Sequence, residues 1–173
     1  MISIVEIKAR CNDQERIRSI LTGLGSDCRG VDHQIDTYFK VPEGRLKLRQ
    51  GNIENALIFY RRPDQAGPKQ SDVILHPTHT GDTLLTLLEA SLGVLVKVDK
   101  MREIHYIDHV KFHLDEVKGL GNFVEIEAID HDGVYDTDQL LAHCRHYLRL
   151  FNIQSADLLE DSYSDQLMRS HKE

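Results

Sequence analysis

The chain has 173 residues, 40% hydrophobic and 28% charged, and Asp and Glu outnumber Lys and Arg by 28 to 21 for a formal net charge of −7. That length and balance fit a single domain over 1–173 with its core at 2–165, and they exclude a wholly disordered chain. Net acidity argues against a general nucleic-acid binder or an anionic-membrane binder, yet leaves room for a local basic site.

No apolar run reaches the ~18 residues that span a bilayer. The opening Met1-Ile2-Ser3-Ile4-Val5-Glu6 lacks the basic segment and long apolar stretch of a secretory signal. Cys11, Cys28 and Cys144 are odd in number, widely spaced and form no CxxC pair, which speaks against a zinc ribbon or a disulfide framework. A cytoplasmic location is the expectation, with no nucleic-acid or membrane partner and a homodimer as a possible assembly.

In chain order, the first strand is expected at 2–10. A helix follows at 13–24, where Ile17, Ile20, Leu21 and Leu24 recur at helical spacing between a start at Asn12 or Asp13 and a stop at Gly25. Strands are expected at 34–41, 45–50, 56–62 and 71–76, with Pro42-Glu43-Gly44 and Gly51-Asn52 as turns. Residues 82–92 read as a leucine-rich helix ending at Gly93. Strands at 94–102, 103–108, 110–117 and 122–130 come next, then a helix at 137–151 capped by Asp136, then one or two helical turns beyond Ala156. The short gaps between strands predict a largely antiparallel sheet in an α+β domain, curled or closed.

Strand parity sorts the charges. Glu6, Lys8 and Arg10 share one face, as do Arg45, Lys47 and Arg49; Tyr60 and Arg62; Lys100 and Arg102; Lys111, His113 and Asp115; and Glu125 and Glu127. A solvated outer face explains any one of these rows. Six rows, with three amphipathic helices available for the apolar face, point instead to a barrel with a polar lumen. Crowded Lys and Arg there would repel one another unless a polyanion filled the space. Grouped carboxylates could hold a hard divalent cation, and a cation beside many basic groups suits a polyphosphate chain.

Several short segments carry a family resemblance. Val5-Glu6-Ile7-Lys8-Ala9-Arg10 resembles the opening signature of the CYTH family, the triphosphate tunnel metalloenzymes. Asp36-Thr37-Tyr38-Phe39, Gly44-Arg45-Leu46-Lys47-Leu48-Arg49 and Val98-Asp99-Lys100-Met101-Arg102 resemble its inner strands. Tyr60-Arg61-Arg62-Pro63-Asp64 and Gly67-Pro68-Lys69-Gln70-Ser71 resemble the bacterial branch related to class IV adenylyl cyclases. His113-Leu114-Asp115-Glu116-Val117, Gly119-Leu120-Gly121 and Phe123-Val124-Glu125-Ile126-Glu127 resemble the acidic C-terminal block. The likeness runs from residue 4 to about 165.

The resemblance implies an eight-stranded antiparallel barrel forming a tunnel, with helices outside and Mg²⁺ or Mn²⁺ as cofactor. It implies hydrolysis of inorganic, thiamine or nucleoside triphosphate; cyclisation of ATP and non-catalytic binding of nucleotide or polyphosphate are the alternatives. Carried over by position, Glu6, Asp115, Glu125 and Glu127 would surround the metal. Lys8, Lys47, Arg49, Arg62, Lys69, Lys100 and Arg102, with Lys111 and His113, would contact substrate; Lys8 and Glu6 are the catalytic candidates. One departure stands out: the family's Glu-x-Glu-x-Lys opening reads Ile4-Val5-Glu6-Ile7-Lys8, and parity points Ile4 into the lumen.

Other clusters carry less. His143 and His146 are spaced i, i+3, which fits an ordinary helix surface better than a metal site. Asp130-His131-Asp132-Gly133 and Gly119-Leu120-Gly121 read as turns. Cys11, beside the basic strand, could have a lowered pKa, but no base partners it in the sequence.

Overall fold

The computed structural model describes residues 2–61, 69–79 and 83–170. Its elements are β1 (Ile2–Arg10), α1 (Gln14–Gly23), β2 (Asp27–Phe39), β3 (Arg45–Gln50), β4 (Ala56–Arg61), β5 (Lys69–Pro77), α2 (Leu84–Leu92), β6 (Val94–Ile107), β7 (Val110–Val117), β8 (Gly121–Asp130), α3 (Thr137–Leu150) and α4 (Tyr163–Ser170), with a 3-10 turn at Ser155–Asp157. The strands close in the order β1-β5-β4-β3-β2-β6-β7-β8, every pair antiparallel. Closure leaves no open sheet edge.

Two strands differ from the sequence reading. The expected strands 94–102 and 103–108 are one continuous β6, because Lys100 to Ile107 pair without a break with Val117 to Val110 of β7. β2 starts at Asp27 rather than residue 34, since its polar first half is held by pairing with β6 and not by an apolar pattern.

The largest apolar core lies outside the ring, between sheet and helices, and a second cluster fills the end of the ring under α4. Val5, Ile7 and Ala9 of β1, Phe112 of β7 and Ile126 of β8 pack with Ile17 and Leu21 of α1 and with Leu140, Cys144 and Phe151 at α3. α1 starts at Asp13, whose side chain accepts from the Arg16 N–H, and α3 starts in a reciprocal capping box of Asp136 and Gln139. α2 covers Phe39 and Leu48 through Leu88. α4 packs by Tyr163 and Leu167 near Tyr38, Val98 and Phe123. No helix among the described residues is long and apolar enough to cross a membrane.

This outer core is what turns the charged faces inward. Phe112 is fully buried, with its ring 4.7 Å from that of Tyr147 and 5.7 Å from that of Phe151. Phe112→Ala is expected to cost about 3–5 kcal/mol, read as a lowered urea midpoint. A cost below about 1 kcal/mol would show that α3 does not dock on β7 as described.

Candidate active site

The lumen holds a cavity of about 470 Å³. Register brings its chemistry together. Glu6 lies directly across from Glu127, and Lys8 across from Glu125, between β1 and β8. His113 is opposite Glu125, and Lys111 opposite Glu127, between β7 and β8. Arg102 is opposite Asp115, and Arg49 opposite Asp36, on the next seams. Ile4 lines the same cavity, as parity requires.

Of the expected substrate contacts, Lys8, Lys47, Arg49, Lys100, Arg102 and Lys111 all line the cavity. Arg62 lies outside the described residues. Lys69 falls opposite Glu6 on the β1–β5 seam, and its side chain also lies outside them. Cys11 sits beyond the end of β1, where burial raises its thiol pKa; a lowered value does not arise there.

The cations are not bare: each described one faces a carboxylate, while Arg102 still repels Lys100 and Arg49. Arg49 makes a two-pronged pair with Asp36 at 2.8 and 2.9 Å, and Lys47 and Lys100 reach the same carboxylate at 3.0 and 3.2 Å. Arg102 bonds Asp115 at 2.7 and 2.5 Å and Glu125 at 2.8 Å. Lys8 lies 2.9 Å from Glu125 and 3.6 Å from Glu6, with its ammonium 4.0 Å above the Tyr163 ring. Lys111 and Arg49 both bond Glu54.

Sequence reasoning missed Asp36 and Glu54 as site residues. Asp36 appeared only within a motif, and Glu54 sits in the β3–β4 loop, where strand parity has nothing to say. That loop is held by Asp32, a fully buried carboxylate that accepts from the N–H groups of Asn52, Ile53 and Glu54 at 2.6, 2.9 and 3.0 Å. Gly51 permits the close approach, because a Cβ there would stand 2.7 Å from both Asp32 oxygens. The tandem Gly51-Asn52 turn was the signal available in the sequence.

The acidic residues divide by occupation. Asp115 is fully buried, and its oxygens are taken by Arg102 and by the Tyr163 hydroxyl at 2.8 Å. Burial works against its charge, but Arg102 holds its pKa below the usual range. Glu125, despite the same burial, is held well below that range by Arg102 and Lys8, and it accepts from His113 Nδ1 at 2.9 Å. Burial pushes His113 down to about 3, so its ring is neutral, and Nε2 is buried without a partner in the structure.

Glu127 is different. Burial and the neighbouring Glu6 and Glu125 charges raise it to about 7, against Lys111 and Arg102. Two glutamates directly opposite on one sheet face are unfavourable without a cation between them. Ligand atoms of His113, Glu125 and Glu127 lie within 4.8 Å of one another, a donor set that fits one divalent ion.

A second feature is the asymmetry of the cavity. α4 lies at one end, where buried Ser162 accepts from Arg45 at 2.6 Å and donates to Asp165 at 2.6 Å, and Asp165 accepts from the same guanidinium at 3.0 Å. At the other end Ile4, Ile53, Leu75, Pro77 and Ile129 form an apolar rim. Leu75 and Ile53 are 47% and 45% exposed there.

Pairing reverses the expectation for a bare cationic lumen, in which losing a charge would relieve strain. Arg49→Ala should lower the melting temperature of the ligand-free protein, because Asp36 loses its two-pronged partner and Glu54 one of its two cations. Asp36→Ala should cost about 3–5 kcal/mol by taking the shared carboxylate from Lys47 and Lys100 and leaving Arg49 with Glu54 alone. An unchanged or raised melting temperature in Arg49→Ala would show that the ion pairs are not formed in solution.

The CYTH domain family model matches residues 4–163. A putative adenylate cyclase of Methanocaldococcus jannaschii is 23% identical over 168 residues, which cover 92% of this chain and 95% of that one. A Pyrococcus horikoshii protein of known structure superposes with a TM-score of 0.81 at 22% identity, over 94% of this chain and 98% of its own. A Hippeastrum protein described as having a dominant triphosphatase activity superposes at 0.65 with 12% identity, over 99% and 96% of the two chains. The superpositions show a shared fold, and the family model spans nearly the whole sequence. The chain belongs to the CYTH domain family, a family of enzymes.

Proposed function

We propose that the chain is a Mg²⁺- or Mn²⁺-dependent triphosphatase acting on an organic triphosphate. The observation that carries this reading is one cavity with opposed glutamates and a row of cations inside, and an apolar rim outside. Glu6 and Glu127, with Glu125 and His113 beside them, would hold the metal. When bound, the metal would supply charge neutralisation for phosphate oxygens.

The chain's own groups do the rest. Lys47, Arg49, Lys100 and Arg102 would exchange their carboxylate partners for phosphate oxygens and orient the chain of phosphates. Asp115, spent on Arg102 and Tyr163, acts as a positioning residue for that guanidinium and not as a metal ligand. Lys8 is clasped between Glu125, Glu6 and the Tyr163 ring, a setting for a cation that steadies charge and not for a base. Glu6, partly exposed and across from Glu127, is the proton acceptor for the attacking water. The apolar rim gives the organic group a seat that inorganic triphosphate does not need.

A cyclase reading follows from the name of the Methanocaldococcus jannaschii relative, with the ribose 3′-hydroxyl in place of water. A panel of inorganic, thiamine and nucleoside triphosphates with MgCl₂ or MnCl₂ separates the two. Phosphate release, faster with organic than inorganic triphosphate, is the expected result, and Glu127→Gln should lower it by on the order of 100-fold or more with folding kept. Cyclic AMP from ATP would replace this reading with the cyclase. Tight binding with no product would leave a binding module.

Lys100 adds a pH dependence. Burial and the Arg102 charge pull it from 10.5 down to about 7, against Asp36. A base whose folded pKa is depressed stabilises the fold above its unfolded value and loses that contribution as pH falls through the folded one. Polyphosphate binding favours the charged form, so the sign for binding is the reverse: affinity should fall as pH rises through about 7. Calorimetry of tripolyphosphate without metal measures it, and Lys100→Met should flatten the slope. A slope that survives in Lys100→Met assigns the titration to another group.

A further inference from the structure

On the outer face of the ring, away from the lumen, a β-bulge assembles three groups that the proposed reaction does not use. The β2–β6 register pairs Gly30 with Ile104 and Cys28 with His105, so Arg29 is an extra residue on β2. Gly30 takes a φ of 105°, which the bulge requires and a side chain would resist. Without the extra residue, Cys28 would follow the parity of Asp32, Gln34 and Asp36 into the lumen. With it, Cys28 lies beside His105 and Glu103, and the ligand atoms of all three come within 4.8 Å of one another.

The surroundings are those of a built site. His105 is 2% exposed, with Nε2 2.8 Å from Glu103 Oε1 and Nδ1 3.0 Å from Ser26 Oγ. Arg18 of α1 clasps the same carboxylate, its Nε 3.0 Å from each oxygen and its Nη2 2.7 Å from Oε2. Cys28 is a free, exposed thiol. Thiolate, imidazole and carboxylate together form a donor set for zinc and not for magnesium, and ligands about 2.0–2.3 Å from one ion need only small side-chain rotations from this arrangement.

We propose that Cys28, Glu103 and His105 form a site for a thiophilic divalent cation of the zinc type, with the fourth position open to water. The ion replaces the proton between His105 and Glu103. His105 changes tautomer, so Nε2 binds the ion and Nδ1–H donates to Ser26 Oγ, which fixes the ring. The Cys28 thiol releases one proton to solvent, and Arg18 gives up Oε1 of Glu103 to the ion while keeping Oε2. Two anionic ligands balance the ion's charge, which lets the nearby guanidinium remain.

Cobalt titration of the reduced, chelator-treated full-length protein tests this independently of the triphosphatase reading. Only thiolate ligation gives the near-ultraviolet sulfur-to-cobalt charge-transfer band, and the lumen holds no thiol. The expected result is a band saturating at one equivalent, bleached by Zn²⁺ but not by Mg²⁺, lost in Cys28→Ser and kept in Glu127→Gln. Cys28 is exposed, so its replacement by serine leaves the fold intact. No band at saturating cobalt, or a band that persists in Cys28→Ser, overturns the proposal.

Discussion

The structure depends on burying charge inside a closed sheet without leaving any of it alone. Asp36 is the centre of that arrangement: one carboxylate, 1% exposed, accepts from Arg49 and faces Lys47 and Lys100. An isolated charge at that depth would cost several kcal/mol, so the cations and the acid are each tolerable only because of the other. The apolar groups excluded from the lumen have to go outside, and there α1, α2 and α3 receive them. Polar lumen and apolar exterior are therefore one constraint seen from two sides.

Pairing also changes what a polyphosphate would meet. The cations are not waiting bare; they would trade one set of anionic oxygens for another. Such an exchange yields little net Coulomb energy from any one pair, and selectivity then comes from geometry and from where like charges crowd. Like charges meet most closely at the Glu6–Glu127 opposition, where burial and two neighbouring carboxylates raise Glu127 to about 7. A cation there and a polyanion beside it each make room for the other.

Much of this was legible in the sequence because strand parity is strict. Lys8, Lys47, Arg49, Lys100, Arg102, Lys111 and the glutamates of β8 were placed on one face by counting in twos, and the closed ring gathers them. What counting could not see were partners across the ring. Asp36 and Arg49 are 13 residues apart, and Arg102 and Asp115 are likewise 13 apart, so which acid meets which base was set by register and not by local pattern. Glu54 lay in a loop, and the first half of β2 was too polar to read as a strand because Asp27, Arg29, Asp32 and His33 interrupt any apolar alternation there. The bulge at Gly30 escaped for the same reason: it is visible only as a change of register against β6.

Ile4 joins these points. At the family's usual glutamate position it brings no charge, yet it sits on the lumen face across from Ile129 and beside Ser71. An apolar residue facing a polar tunnel would be a plain defect if it stood alone. Here Ile129, Leu75 and Ile53 surround the same mouth, so the substitution extends an apolar surface that the other strands already supply. A second glutamate in place of Ile4 would put a third carboxylate beside Glu6 and Glu127 and raise the cost of leaving the site without a cation. The apolar rim thus lowers the charge the lumen must balance when empty, and under the proposed function it would give the organic end of a triphosphate a surface to bury.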